Sequence, residues 1–234
     1  MKMFRDRTDA GRKLAERLRE LRLGPDVMVL GLPRGGMPVA REVAAALAAP
    51  LDVLVVRKIG APFNPELALG AIAFGGVTVY NESLLAELGL DEAELDGTRR
   101  REQAELLRRE RAYRGEKPVP NLTGKTVVLV DDGMATGATM HAAVTATRRL
   151  HPKRIIVAVP TSAAESVARL SEVADRVIAL ATPEPYYGVG AWYDEFRQLS
   201  DDEVVRCLGD AAARRAGDMD AADGEPRPPA RSPA

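Results

Sequence analysis

Residues 127–139 read Val-Val-Leu-Val-Asp-Asp-Gly-Met-Ala-Thr-Gly-Ala-Thr. Four successive apolar β-formers need cover on both faces, which predicts a strand inside a parallel sheet. The strand releases two carboxylates, Asp131 and Asp132, at the carboxyl edge where open α/β sheets bind their ligands. Such acids suit the vicinal hydroxyls of a sugar. Ala135, Thr136, Gly137, Ala138 and Thr139 then open a helix, offering backbone N–H groups and two hydroxyls at its positive end. A phosphate fits there, so the run as a whole predicts a site for a phosphorylated sugar.

Working outward, strands and helices alternate. Thr8 or Asp9 is expected to cap a helix over residues 8–23, where Leu14, Leu18 and Leu21 recur at helical spacing and Gly24-Pro25 stops the run. A strand over 27–32, a helix over 38–48 and a strand over 51–56 follow. Pro62, Asn64, Pro65, Gly70 and Gly75-Gly76 then punctuate short apolar runs, which fits a mobile loop and a β-hairpin over 59–76. Residues 83–114 read as a charged helical insertion. After the strand at 126–130 come helix 139–150, strand 155–159, helix 162–170, strand 176–180, a proline- and aromatic-containing cap over 182–198 and a short helix over 201–213. The alternation predicts a three-layer α/β/α fold with a central, mainly parallel sheet.

Composition bounds the rest. The 234 residues are 46% hydrophobic, enough for one good-sized core, so residues 1–213 are expected to form one domain. Residues 214–234 collect four prolines with little to bury and read as a disordered tail. Lysine plus arginine (33) balance aspartate plus glutamate (34), so no global field argues for nucleic acid. The single cysteine, Cys207, suits a reducing cytoplasm and reads as a small buried hydrophobe. No run approaches the ~20 apolar residues of a membrane helix, and the start of the chain lacks the apolar core of a secretory signal. A cytoplasmic protein is expected.

The 127–139 run resembles the phosphoribosyl-pyrophosphate (PRPP) signature of type I phosphoribosyltransferases. The resemblance implies that Asp131 and Asp132 hold the ribose hydroxyls and that Ala135 to Thr139 hold the 5′-phosphate. Gly133 departs from the family's aliphatic or serine, and is read here as loosening the turn without removing a ligand group. At the end of the first strand, Gly31-Leu32-Pro33-Arg34-Gly35-Gly36 brings bare backbone and one cation together. In the resembling family this is the pyrophosphate loop, so Arg34, Gly35 and Gly36 would meet the leaving group. Arg57-Lys58 is similar to the arginine-lysine pair of adenine and orotate phosphoribosyltransferases, and would neutralise the departing pyrophosphate. Arg34, Lys58, Asp131 and Asp132 are the expected catalytic set. The segment at 61–66, with Glu66, sits where the family closes a loop over the site and excludes water from a sugar cation.

Residues 186–194, Tyr-Tyr-Gly-Val-Gly-Ala-Trp-Tyr-Asp, gather four of the chain's ten aromatics in one short stretch. Their order is similar to the hood of hypoxanthine-guanine phosphoribosyltransferases, implying Tyr187 for stacking on the base, Val189 for backbone contact and Asp194 for the acid. Ala135 stands where those enzymes carry a loop aspartate, as in the adenine and orotate enzymes. The loop then holds no general base, and catalysis rests on positioning and charge stabilisation. The resemblance implies PRPP and a small nitrogenous base as ligands, Mg²⁺ bound through PRPP and water with no direct protein ligand, and a homo-oligomer, with a dimer as one form. Arg99, Arg100, Arg101, Arg108, Arg109, Arg111 and Arg114 offer RNA phosphates a face, but interleaved glutamates describe an ordinary solvated helix. A PRPP-responsive regulator acting on RNA or a protein is the alternative function.

Overall fold

The computed structural model describes residues 2–223, with the side chains among them apart from those of Pro65, Glu66, Phe74 and residues 215–223. In chain order the elements are α1 (Arg7–Arg19), β1 (Val27–Gly31), α2 (Gly36–Ala46), β2 (Leu51–Val53), β3 (Val56–Ala61), β4 (Asn64–Ala73), β5 (Val77–Tyr80), α3 (Glu82–Leu88), α4 (Asp96–Arg114), β6 (Thr126–Val130), α5 (Ala138–Arg148), β7 (Arg154–Thr161), α6 (Ala164–Leu170), β8 (Arg176–Ala181) and α7 (Asp201–Asp223). Five strands form a parallel sheet in the order β2-β1-β6-β7-β8. β3, β4 and β5 form a separate antiparallel sheet.

The period of two along each strand divides the central core. Met28, Leu30, Val127, Leu129, Ile155 and Val157 face one side, packed with Met140 and Val144 of α5 and Leu170 of α6. Val27, Val29, Val128, Val130, Ile156 and Ala158 face the other, with Leu14 and Leu18 of α1 and Val39 and Val43 of α2. Burial of each such side chain stabilises by about 1.5–3 kcal/mol, so unbroken apolar strands are stable only between two helical layers. The expected α/β/α fold is therefore present.

Several boundaries differ from expectation. Asp6 caps α1, its side chain accepting from the Asp9 amide at 2.8 Å, so neither Thr8 nor Asp9 is the cap. The helix ends at Arg19, before Gly24-Pro25, because Leu21 and Arg22 donate three residues back and tighten the last turn. The strand expected at 51–56 is two strands. Leu54 still donates to Gly31 O at 2.9 Å, after which the chain leaves for the second sheet. Val53 and Val55 pack in a third core with Ile59, Leu69, Leu106 and Val204, so the apolar run continues across the break and hides it.

The hairpin expected within 59–76 is β3 and β4, and the loop at 61–66 is the turn Pro62-Phe63, with Phe63 65% exposed. The Glu66 side chain lies outside the described residues. α7 continues past residue 213 to Asp223, and the remaining part of the expected tail, 224–234, also lies outside them. Among the described residues, no helix is long and apolar enough to cross a membrane.

Candidate functional site

β1 and β6 are neighbours in register, Gly31 opposite Val130, so the loops that follow them leave the sheet at one level. Leu32 donates to Val130 O at 2.8 Å and holds the first loop against the second. Gly35 and Gly36 consequently lie on the two acids. A Cβ on Gly36 would stand 2.7 Å from Val130 O and 2.8 Å from the Asp131 Cα, and one on Gly35 would stand 2.0 Å from Asp132 Oδ2. Gly35 has helical angles (φ −61°, ψ −37°) that any residue adopts, so what requires glycine there is space alone. Gly35→Ala is expected to fold with the carboxylate displaced, at a cost of about 1–3 kcal/mol in chemical denaturation. An unchanged midpoint would show that Asp132 does not rest on Gly35.

The acids differ in their surroundings. Asp131 Oδ1 accepts the Asp132 amide at 2.8 Å. Asp132 is 8% exposed and its Oδ2 accepts from Arg7 Nε at 2.7 Å. Burial, then the charge of Asp132, pushes the Asp131 carboxyl well above the ordinary range. Burial also raises Asp132, opposed by Arg7. Arg7 is itself 9% exposed, donates to Arg197 O at 2.9 Å and lies 3.9 Å from the centre of the Phe196 ring. Sequence reasoning did not find Arg7. The available signal was its place at the first position of a helix, where a cation opposes the macrodipole and needs an anionic partner.

The loop between β6 and α5 is backed by the next strand and helix. Met134 donates to Thr161 O and accepts from Ala163 N, both at 3.0 Å. Gly137, at φ 70°, turns the chain into α5. Among the described residues the amides of Ala135, Thr136, Gly137 and Thr139 have no hydrogen-bond partner, and Ala138 N makes only a long 3.5 Å bond to Thr136 Oγ1. Free amides gathered at a helix N-terminus are an arrangement chemically suited to an anion. The structure also gives Gly133 a role that differs from loosening the turn. A Cβ there would stand 2.6 Å from Val189 Cγ1 and 3.1 Å from Thr161 O, so glycine lets the cap approach the strand end.

The predicted cations are distributed around this edge. Arg34 stands 3.8 Å from Asp201 at the start of α7. Arg57 donates through Nε to Glu102 of α4 at 2.8 Å. Lys58 lines a cavity of about 870 Å³ together with Thr136, Gly137, Ala138, His141 and Arg169. That cavity lies between the 136–138 turn with α5 and α6 on one side and the second sheet on the other, and neither acid lines it.

In the cap, Tyr193 is the anchor. Its hydroxyl donates to Asp132 O at 2.6 Å, and its ring meets Phe4 at 5.3 Å and Phe196 at 5.1 Å between centres. Because Tyr193 bridges to Phe4 in extended backbone, its neighbour Asp194 faces outward and pairs with Lys2 at 3.7 Å. Tyr187 is 77% exposed. Tyr186 instead faces Trp192, 6.1 Å between ring centres. Among the described residues the Tyr186 hydroxyl, Trp192 Nε1 and Thr161 Oγ1 are buried without a hydrogen bond of ordinary length, Thr161 standing beside the Tyr186 hydroxyl. Of the three predicted base-binding residues, the structure brings Val189 to the strand end and leaves Tyr187 and Asp194 at the surface.

The arginines of α4 are largely engaged. Asp96 pairs with Arg99 and Arg100, and Arg114 bonds Asp52 at 3.0 Å. Arg108, then Arg109, holds the Glu105 carboxyl down to about 2.

Residues 4–188 match the family described as Phosphoribosyl transferase domain. Two Mycobacterium tuberculosis proteins, each provisionally named a phosphoribosyl transferase, are 51% identical over 232 residues, which is 99% of this chain and 52% of theirs. The chain thus spans about half the length of the curated relatives it matches. The crystal structure of TT1426 from Thermus thermophilus is 45% identical, with a TM-score of 0.82 over 88% of this chain and 97% of that one.

Proposed function

The chain belongs to the phosphoribosyl transferase family, and from that premise we propose that it transfers the 5-phosphoribosyl group of PRPP to a nitrogenous base, a nucleobase, releasing pyrophosphate. One observation carries the reading: twin carboxylates, an amide nest unpartnered among the described residues and a pair of spatially required glycines meet at one sheet edge. In this assignment Asp131 and Asp132 accept from the ribose hydroxyls, and the amides of 135–139 take the 5′-phosphate. Gly35 and Gly36 expose backbone to the pyrophosphate while Arg34, Arg57 and Lys58 supply charge. Arg57 would exchange Glu102 for the diphosphate, a swap for which its fork of five donors is suited.

The C1′–diphosphate bond breaks as a ring nitrogen of the acceptor bonds C1′, and the proton lost by that nitrogen passes to solvent. With Ala135 in the loop, rate enhancement rests on orientation and on cations facing the leaving group. For the acceptor, Tyr186 and Trp192 replace Tyr187 and Asp194 as the proposed contacts, because their rings and orphaned polar atoms lie on the inner side of the cap. Among the described residues no three His, Cys, Asp or Glu converge as a metal cage. The donor set therefore fits Mg²⁺ only where PRPP and water supply most ligands, with Asp131 adjoining, and the ion would neutralise the departing diphosphate.

A screen of pyrophosphate release from PRPP across purine and pyrimidine bases tests the proposal. Release with at least one base is the expected result. PRPP binding without release from any of them would favour a regulator, a reading that the internal pairing of the α4 arginines does little to support.

A further inference from the structure

Two carbonyl oxygens of the loop between β6 and α5 are held from behind by α6. Ser166, 1% exposed, donates its hydroxyl to Ala135 O at 2.7 Å. Arg169 donates to Thr136 O at 2.9 Å. Both peptides are trans, since the cis bonds of the described chain are Pro33–Arg34 and Glu184–Pro185. In a trans peptide the C=O of one residue and the N–H of the next point in opposite directions. Pulling the Ala135 and Thr136 carbonyls toward α6 therefore aims the Thr136 and Gly137 amides the other way, outward from the loop.

From this we infer that Ser166 and Arg169 are positioning residues that set the aim of the phosphate-binding amides. The inference rests on reading the 135–139 loop as the 5′-phosphate site. The contact is close and specific: a Cβ on Gly137 would already stand 3.3 Å from the Ser166 Cβ, so α6 lies directly against the turn. Arg169 is also braced by Glu165 at 3.2 Å, one turn earlier, which keeps its guanidinium on the loop. Without the two donors the peptide planes are free to rotate, and the nest loses its convergence before the fold loses its core. Preorganised amides bind an oxyanion at little reorganisation cost, so the loss falls on phosphate affinity.

The test uses the full chain and two probes. PRPP engages the amide loop, whereas inorganic pyrophosphate, under the same assignment, engages Arg34, Gly35 and Gly36. For Ser166→Ala and for Arg169→Gln, calorimetry is expected to show PRPP affinity falling about tenfold with pyrophosphate affinity unchanged, and Arg169→Lys is expected to recover part of the loss. Equal losses for both probes, or PRPP affinity unchanged in both variants, would overturn the positioning role. Failure of the unaltered protein to bind PRPP would overturn the phosphate-site reading itself, and with it this inference, so the two failures are distinguishable.

Discussion

Arg7→Met is expected to destabilise the protein by about 3–5 kcal/mol at neutral pH, the usual cost of stripping one partner from a buried ion pair. The two side chains are about one-tenth exposed and meet at 2.7 Å. Removal of the guanidinium leaves the Asp132 carboxylate beside the Asp131 charge with no compensating cation. It also removes the bond to Arg197 O and the cation stacked on Phe196, both in the segment that follows the cap. The effect has a pH signature. Without Arg7 the folded Asp132 pKa moves further above its unfolded value, so the folded form binds protons that the unfolded form does not. Stability of the variant then falls as pH rises from the ordinary carboxylate range toward that raised value, and the deficit against the unaltered protein shrinks in acid. Denaturation curves at neutral pH and near pH 5 check both parts. A difference below about 0.5 kcal/mol at neutral pH would mean that the pair is not formed. Arg7→Lys, which keeps the charge but not the fork, should fall between the two.

Asp131→Asn is expected to act in the opposite sense on stability. The substitution keeps an Oδ1 acceptor for the Asp132 amide and removes a charge that burial and Asp132 disfavour. A carboxyl whose folded pKa is raised costs stability at pH above its unfolded value, and that cost grows until the folded group ionises. Neutral asparagine escapes it, so at pH 7 the variant should be the more stable of the two, read as a rise in Tm. The gain should disappear as pH falls through the ordinary carboxylate range. A loss of stability at pH 7 would contradict the account of Asp131 as an expensive group kept at the site. Asp132→Asn is not equivalent, because it strands Arg7.

Much of the fold was legible because it is written locally. Residues 127–139 carry strand, acids and small-residue turn in one uninterrupted run, and β1 with α2 repeats the scheme at Gly31 to Gly36. The remainder depended on residues far apart in sequence. Arg7 and Asp132 are 125 positions apart, and nothing near either names the other. The end of β2 is hidden in the sequence because Val53, its last residue, and Val55, which lies between β2 and β3, are both apolar and share one core. The sequence around Gly133 suggests freedom of backbone, yet what requires glycine there is Val189, brought to it by the cap. The inward and outward faces of the cap are hidden by the same kind of gap. That Asp194 faces out follows from the bridge between Phe4 and Tyr193, and the inward facing of Tyr186 goes with its contact to the Trp192 ring. Aromatic spacing alone carries no such information.

The central claim is that the carboxylates beside the amide nest bind the activated pentose, and calorimetric titration with PRPP and Mg²⁺ of the unaltered protein and of Asp131→Asn tests it most directly. Charge-assisted hydrogen bonds to ribose hydroxyls contribute about 1.5–3 kcal/mol each, so the account predicts saturable binding that weakens at least about tenfold in a variant that melts no earlier. Equal PRPP affinity in the two proteins would contradict it.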